Sequence, residues 1–358
     1  MNKIIKKRKK IFTTMLSAIL ILSVFSVTNI SVLASTTLYN NISTERIANI
    51  LDLETSDSII CQTMGGIGVG PQLKRLFVVK SKESQNRALL YYFPNLYNQN
   101  DYQVITLKNI AGHANSMAID YNYIYITRWR DDGTITKQIT RISRDKIRDA
   151  YLDLKNGVVN SVVFDADDCT IFQPKVKNSD GSYSNFAYAI RTITKYKQDG
   201  QFLITYANNQ VFKAGQVAYT VANVTDGKFI VSEKKKDIKV IPDSLFNNST
   251  NGQAICYDED HGLFIPRWHQ NQKNTIVWVD IDGSYTTDSN NYRYYAPRGH
   301  IVVEKSANIF TKYELESIAF DDQDYLIYSI NTKCTNDSYA EQYPDGIIRI
   351  TNNKFLLP

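Results

Sequence analysis

The chain is poor in the residues that make catalytic or metal sites recognisable from spacing alone. It has four cysteines, four histidines, four methionines and eight prolines in 358 residues. Cys61, Cys169, Cys256 and Cys334 form no CxxC pair, and Cys61 and Cys256 fall at apolar positions of predicted strands. Four thiols in so large a domain do not make a disulfide framework, so they read as buried free thiols. His113, His261, His269 and His300 show no HxH or HExxH spacing, so no metal site is expected. A GxSxG elbow is missing, and Cys61 has no assigned histidine partner. Gly66, Gly68 and Gly70 alternate, but no Lys-Ser/Thr ending and no helix pattern follows, which excludes a phosphate loop. Nothing calls for a cofactor.

Excess charge of one sign is missing too, once the first residues are set aside. Lys3, Lys6, Lys7, Arg8, Lys9 and Lys10 precede an apolar run from Ile11 to Val27, and Val32-Leu33-Ala34 supplies small residues for cleavage. Residues 1–34 therefore read as a signal peptide. They hold six of the 41 basic residues and none of the 36 acidic ones, so the rest of the chain is close to neutral. That removes the case for nucleic-acid binding. No later apolar run is long enough for a membrane span, so an extracellular or wall-associated monomer is expected.

What is abundant is repetition. Asn115-Ser116-Met117-Ala118-Ile119-Asp120 is followed by a turn and the strand Tyr123–Thr127. The same form recurs at Gln253–Asp258 before Leu263–Trp268, and at Glu316–Asp321 before Tyr325–Ser329. A fourth copy is read at Asn160–Asp165. The intervals between the four aspartates are 45, 93 and 63 residues, matching blades of about 40–50 residues with one insertion. Short apolar strands fill the spaces, and residues 145–154 carry a helical spacing with Ser143 as N-cap. The fold class expected is all-β: a single β-propeller of five or six mostly four-stranded antiparallel blades. Residues 35–58 read as a lead-in and residues 59–358 as the propeller.

If the repeated strand is innermost in its blade, its first residues meet at one mouth of the channel. Gln62, Asn115, Asn160, Arg191, Gln253 and Glu316 then converge from different blades as ligand-binding candidates, with His113 beside Asn115. The opposing reading is that these groups simply satisfy one another. His113 and Glu316 are the catalytic candidates. Glu314 is assigned to the opposite strand face, and Asp131 and Asp132 are loop acids. Arg128-Trp129 and Arg267-Trp268 end matching second strands, where Trp129 and Trp268 serve as packing or as a sugar platform. Asp120, Asp165, Asp258 and Asp321 read as turn caps.

The phrase Gly112-His113-Ala114-Asn115-Ser116-Met117, with Tyr123–Ile126 and the recurring Asp-turn-strand units, resembles secreted Gram-positive β-propellers, nearest the helveticin J-like class of large bacteriocins. The likeness spans about Gln62 to Ile350. It implies an exported protein acting on the envelope of competing bacteria, with no catalytic set to carry over. Three functions follow as expectations. The first is binding of a surface or wall glycan, for which 24 tyrosines supply flat amphipathic surfaces. The others are a hydrolase or lyase acting on a polysaccharide, and a non-catalytic adhesive or structural scaffold.

Overall fold

Several strands of this chain are apolar on both faces, as in Leu76-Phe77-Val78-Val79 and Ala88-Leu89-Leu90-Tyr91-Tyr92-Phe93. Such runs have to be covered on two sides. The computed structural model of the protein describes residues 37–39, 42–70, 74–128, 137–206, 216–232, 239–242, 251–268, 274–303, 313–332 and 344–352. Residues 1–34, Trp129, Asp131, Asp132, His269 and Cys334 lie outside them, as does the side chain of Trp268.

Five antiparallel-rich sheets follow one another around the ring, each with one inner strand. Blade 1 starts at Thr63–Gly70 and runs outward through Arg75–Lys82, Arg87–Phe93 and Gln103–Lys108. Blade 2 starts at Met117–Ile119, blade 3 at Ile190–Tyr196, blade 4 at Cys256–Asp258 and blade 5 at Glu314–Phe320. Each inner strand adjoins the next, and that of blade 5 adjoins that of blade 1. The ring is closed. This is a five-bladed β-propeller.

The apolar residues divide between the two sides of each blade, which is why the strands read as unbroken hydrophobic runs. Phe77, Leu90 and Tyr92 pack toward blade 2 with Met117, Ile124 and Ile126. Leu76, Val78, Leu89 and Tyr91 pack the other way, with Ile327 and Ile347 of blade 5. Equivalent clusters fill the joints between blades 2 and 3, 3 and 4, and 4 and 5. Burying each such side chain contributes roughly 1.5–3 kcal/mol, so the joints carry the stability of the ring.

Polar links repeat at each joint near the axis. Gly66 N donates to Ala114 O at 2.8 Å, and Ser116 Oγ to Ile193 O at 3.0 Å. Tyr257 N donates to Thr194 Oγ1 at 3.0 Å, Ala254 N to Glu316 O at 3.0 Å, and Ile67 N to Ser317 Oγ at 3.1 Å. The glycines of the first inner strand make this closeness possible. A Cβ on Gly66 would stand 2.5 Å from Met117 N, whereas one on Gly68 would meet the tip of Ile119, also at 2.5 Å. Backbone cannot retreat as a side-chain tip can. Gly66→Ala should therefore cost about 1–3 kcal/mol and Gly68→Ala less, as read by urea denaturation; equal losses would contradict the close packing of blades 1 and 2.

Three sequence expectations need correction. Asn160–Asp165 is not an inner strand: Val163–Phe164 pairs in parallel with Gln103–Lys108 at the outer edge of blade 1. The inner strand of blade 3 ends instead in a tight turn at Lys197, with φ 57° and no aspartate motif. The propeller also reaches into the segment read as a lead-in. Thr44–Asn49 forms the outer strand of blade 5 against Gly346–Ile350, and Thr37–Tyr39 lies parallel to Pro297–Val302 of blade 4. The helix Arg144–Lys155 forms as expected, with Ser143 accepting from Lys146 N and Ile147, Ala150 and Tyr151 buried. Among the described residues no helix is long and apolar enough to cross a membrane.

Candidate functional site

The starts of the inner strands do gather polar groups, but from fewer blades than the repeats imply. The inner strand of blade 5 has a bulge between Leu315 and Ser317, and Glu316 is its extra residue. Glu316 is 2% exposed. It accepts from Asn331 Nδ2 at 3.3 Å and shares a side-chain hydrogen bond with Glu314. Gln253 reaches across from blade 4 and donates through Nε2 to Glu314 Oε1 at 2.7 Å. Glu314 is thus on the side of Glu316, not the opposite one, as their hydrogen bond shows.

Burial pushes the Glu316 carboxyl well above the usual carboxylate range, and the adjacent Glu314 and Asp345 add to the rise. A hydrogen bond between two carboxyl groups needs a proton on one of them. Beside this pair, Asp345 Oδ1 accepts from Thr332 N at 2.7 Å and Oγ1 at 3.0 Å. Asp345 also lies 2.8 Å from the ammonium of Lys80, which is fully buried and paired with Asp52 as well. Lys80, a single charge inside the run Leu76–Ser81, was visible in the sequence as an oddity. Its partners were not.

The remaining candidates are elsewhere. His113 Nδ1 stands 3.0 Å from Glu83 Oε2, and no contact among the described residues joins it to Glu316. Gln62 and Asn115 are half-buried, and the Arg191 side chain is exposed while its carbonyl accepts from Thr127 Oγ1 at 3.3 Å. The ring of convergent amides therefore reduces to Gln253, Glu314, Glu316 and Asn331, which satisfy one another.

His261 hydrogen-bonds Asp258 at 2.6 Å and stacks on Phe320, a packing role. Burial and Arg267 lower the His300 imidazole to about 4, so it is neutral near pH 7. Cys61 is a buried free thiol, pushed up to about 11 by burial. Asp120 Oδ1 accepts from Asn122 N and Tyr123 N, Asp258 Oδ1 from Asp260 N and His261 N, and Asp321 Oδ1 from Gln323 N and Tyr325 N. They are turn caps. Asp165 caps a 3-10 turn in the same way.

The other ends of the inner strands enclose a cavity of about 250 Å³ on the axis, to which all five blades contribute. Its walls are Ile67, Met117, Ile119, Ile255, Ile318 and Phe320. Its polar lining includes Lys195, Tyr257, Asp258, Asp322 and Asp324. Several of these charges are paired: Lys195 with Asp199 at 2.7 Å, and Asp322 with Lys74 at 3.4 Å and with the Tyr97 hydroxyl at 2.6 Å. Tyr257 donates to Asp282 at 2.7 Å. Apolar walls beneath a paired polar rim suit an uncharged ligand with both apolar and hydroxyl faces. Strand periodicity did not reveal this cavity, because its walls are ordinary core-type residues.

No family model matches the chain, and no curated protein sequence matches it. Solved structures do align with it. An α-L-arabinofuranosidase from Lactobacillus brevis shares 10% identity over 83% of this chain and 94% of its own, with a TM-score of 0.44. The major Malassezia sympodialis allergen Mala s 1 shares 11% over 84% and 82%, with a TM-score of 0.39. A soluble aldose sugar dehydrogenase from Escherichia coli shares 8% over 86% and 99%, with a TM-score of 0.36. These likenesses assign no activity.

Proposed function

We propose that this protein is an exported propeller that binds a carbohydrate in its axial cavity without cleaving it. The carrying observation is that cavity, which all five blades line, blades 1 and 2 with apolar residues and blades 3, 4 and 5 with the polar groups. Sugars present both apolar C–H faces and hydroxyl edges, and the cavity offers partners for each. The basic and apolar leader supports export. The resemblance to the helveticin J-like class adds the envelope of other bacteria as the place where the sugar is met.

The second reading is hydrolase or lyase chemistry at the opposite mouth, and one feature favours it: burial and Glu314 raise the Glu316 carboxyl well above the usual carboxylate range, the direction a general acid needs. The geometry weighs against it. Glycoside hydrolysis places two carboxyl groups about 5–9.5 Å apart across the scissile bond. Glu316 and Glu314 are hydrogen-bonded to each other instead.

A glycan array and a product assay on the same purified protein separate the readings. We expect binding to at least one wall or surface glycan, no released product, and about fivefold weaker binding for Lys195→Ala. Release of product that Glu316→Gln abolishes while sparing binding would establish the second reading and overturn the first.

A further inference from the structure

We infer that the axial cavity accepts the end of a sugar chain, one residue deep, and excludes segments within a chain. The inference rests on the carbohydrate reading above. Its basis is that the cavity has a floor. Toward the strand starts the lining goes no further than Ile67, Met117, Thr194, Ile255 and Ile318. One residue further toward the strand starts stand Gly66, Ser116, Ile193, Ala254 and Ser317, one on or beside each inner strand. Gly66 is buried and none of the other four is more than 1% exposed.

The free edge of each inner strand borders the axis, so a water-wide passage at this level would expose those residues. They are instead tied together by the bonds that cross the joints, Ser116 to Ile193, Ile67 to Ser317 and Ala254 to Glu316. Beyond them the axis is bordered by Gln253, Glu314 and Glu316, bonded to one another. A polymer bound through an internal residue must leave the site on both sides. A well with one opening gives it no second exit. The volume of about 250 Å³ falls below the roughly 300–1,000 Å³ of sites for drug-sized ligands, which fits a single ring.

Calorimetric titration of the full-length protein tests this with chitopentaose, cellopentaose and maltopentaose, each free and with its terminal residues blocked by O-methylation. At least one free pentaose should bind, with its blocked form weaker by about tenfold or more. Equal binding of free and blocked forms would overturn end recognition while leaving carbohydrate binding in place. Silence of every saccharide, both in these titrations and on the array, would overturn the carbohydrate reading and this inference with it.

Discussion

Lys80→Met should lower the stability of the propeller by roughly 3–5 kcal/mol, the usual result of removing one partner from a buried ion pair. Methionine keeps most of the length and volume of lysine, so packing changes little and the loss is electrostatic. Lys80 is fully buried and holds Asp345 at 2.8 Å on one side and Asp52 on the other. Without it, two carboxylates stay in the protein with no cation between them. The effect falls on the joint between blade 5, which supplies Asp345, and blade 1, which supplies Lys80. In a domain of this size each kcal/mol moves the melting midpoint by about 2–4 °C, so a drop on the order of 10 °C is expected. Adding Asp345→Asn should recover part of the loss, since it removes one of the stranded charges. A midpoint unchanged in Lys80→Met would refute the view that this charge cluster holds the joint.

The second large effect concerns pH. The folded-state pKa of Glu316 is raised, first by burial and then by the charge of Glu314. The unfolded chain titrates near the ordinary glutamate value of about 4.3. Below that value both states are protonated and the contribution of the group is fully present. As pH rises above it, the unfolded chain ionises first, and stability falls by about 1.4 kcal/mol per pH unit until the folded value is reached. Glu316→Gln keeps the shape, can donate to Glu314 and can accept from Asn331, but has no proton to lose. Denaturation of both proteins from about pH 4 upward should show the variant gaining on the parent once the unfolded glutamate ionises. Parallel profiles would mean that Glu316 ionises without cost.

These two clusters show where the sequence was legible and where it was not. The Asp-turn units at Asp120, Asp258 and Asp321 were readable because an Asx turn is local: the carboxylate caps amides two to four residues away. The alternating inner strands and the helix after Ser143 were readable for the same reason. The unit at Asp165 shows the limit of that logic. Its aspartate caps a turn too, but the preceding strand pairs at the outer edge of blade 1. Local chemistry cannot say which neighbour a strand will take. Blade 3 was obscured in the opposite way, since it turns at Lys197 with no aspartate. The site suffered most. Gln253 and Glu316 belong to successive units of the repeat, but Asn331, Thr332 and Asp345 stand at the ends of the second and third strands of blade 5, which an inner-strand repeat does not describe.

The pairing of Thr44–Asn49 with Gly346–Ile350 also has a temporal consequence. A chain is made from its first residue onward, so the strand that ends the last blade is among the first to be synthesised. Its partner arrives roughly 300 residues later, and closing a loop of that length costs on the order of 5 kcal/mol in chain entropy. Until then the nascent protein carries an unpaired strand with apolar Ile47 and Ala48, while four blades are ready to accept it as a wrong edge. The outer edge of blade 5 is therefore completed last, and a chain released before Gly346 lacks the partner of Thr44–Asn49.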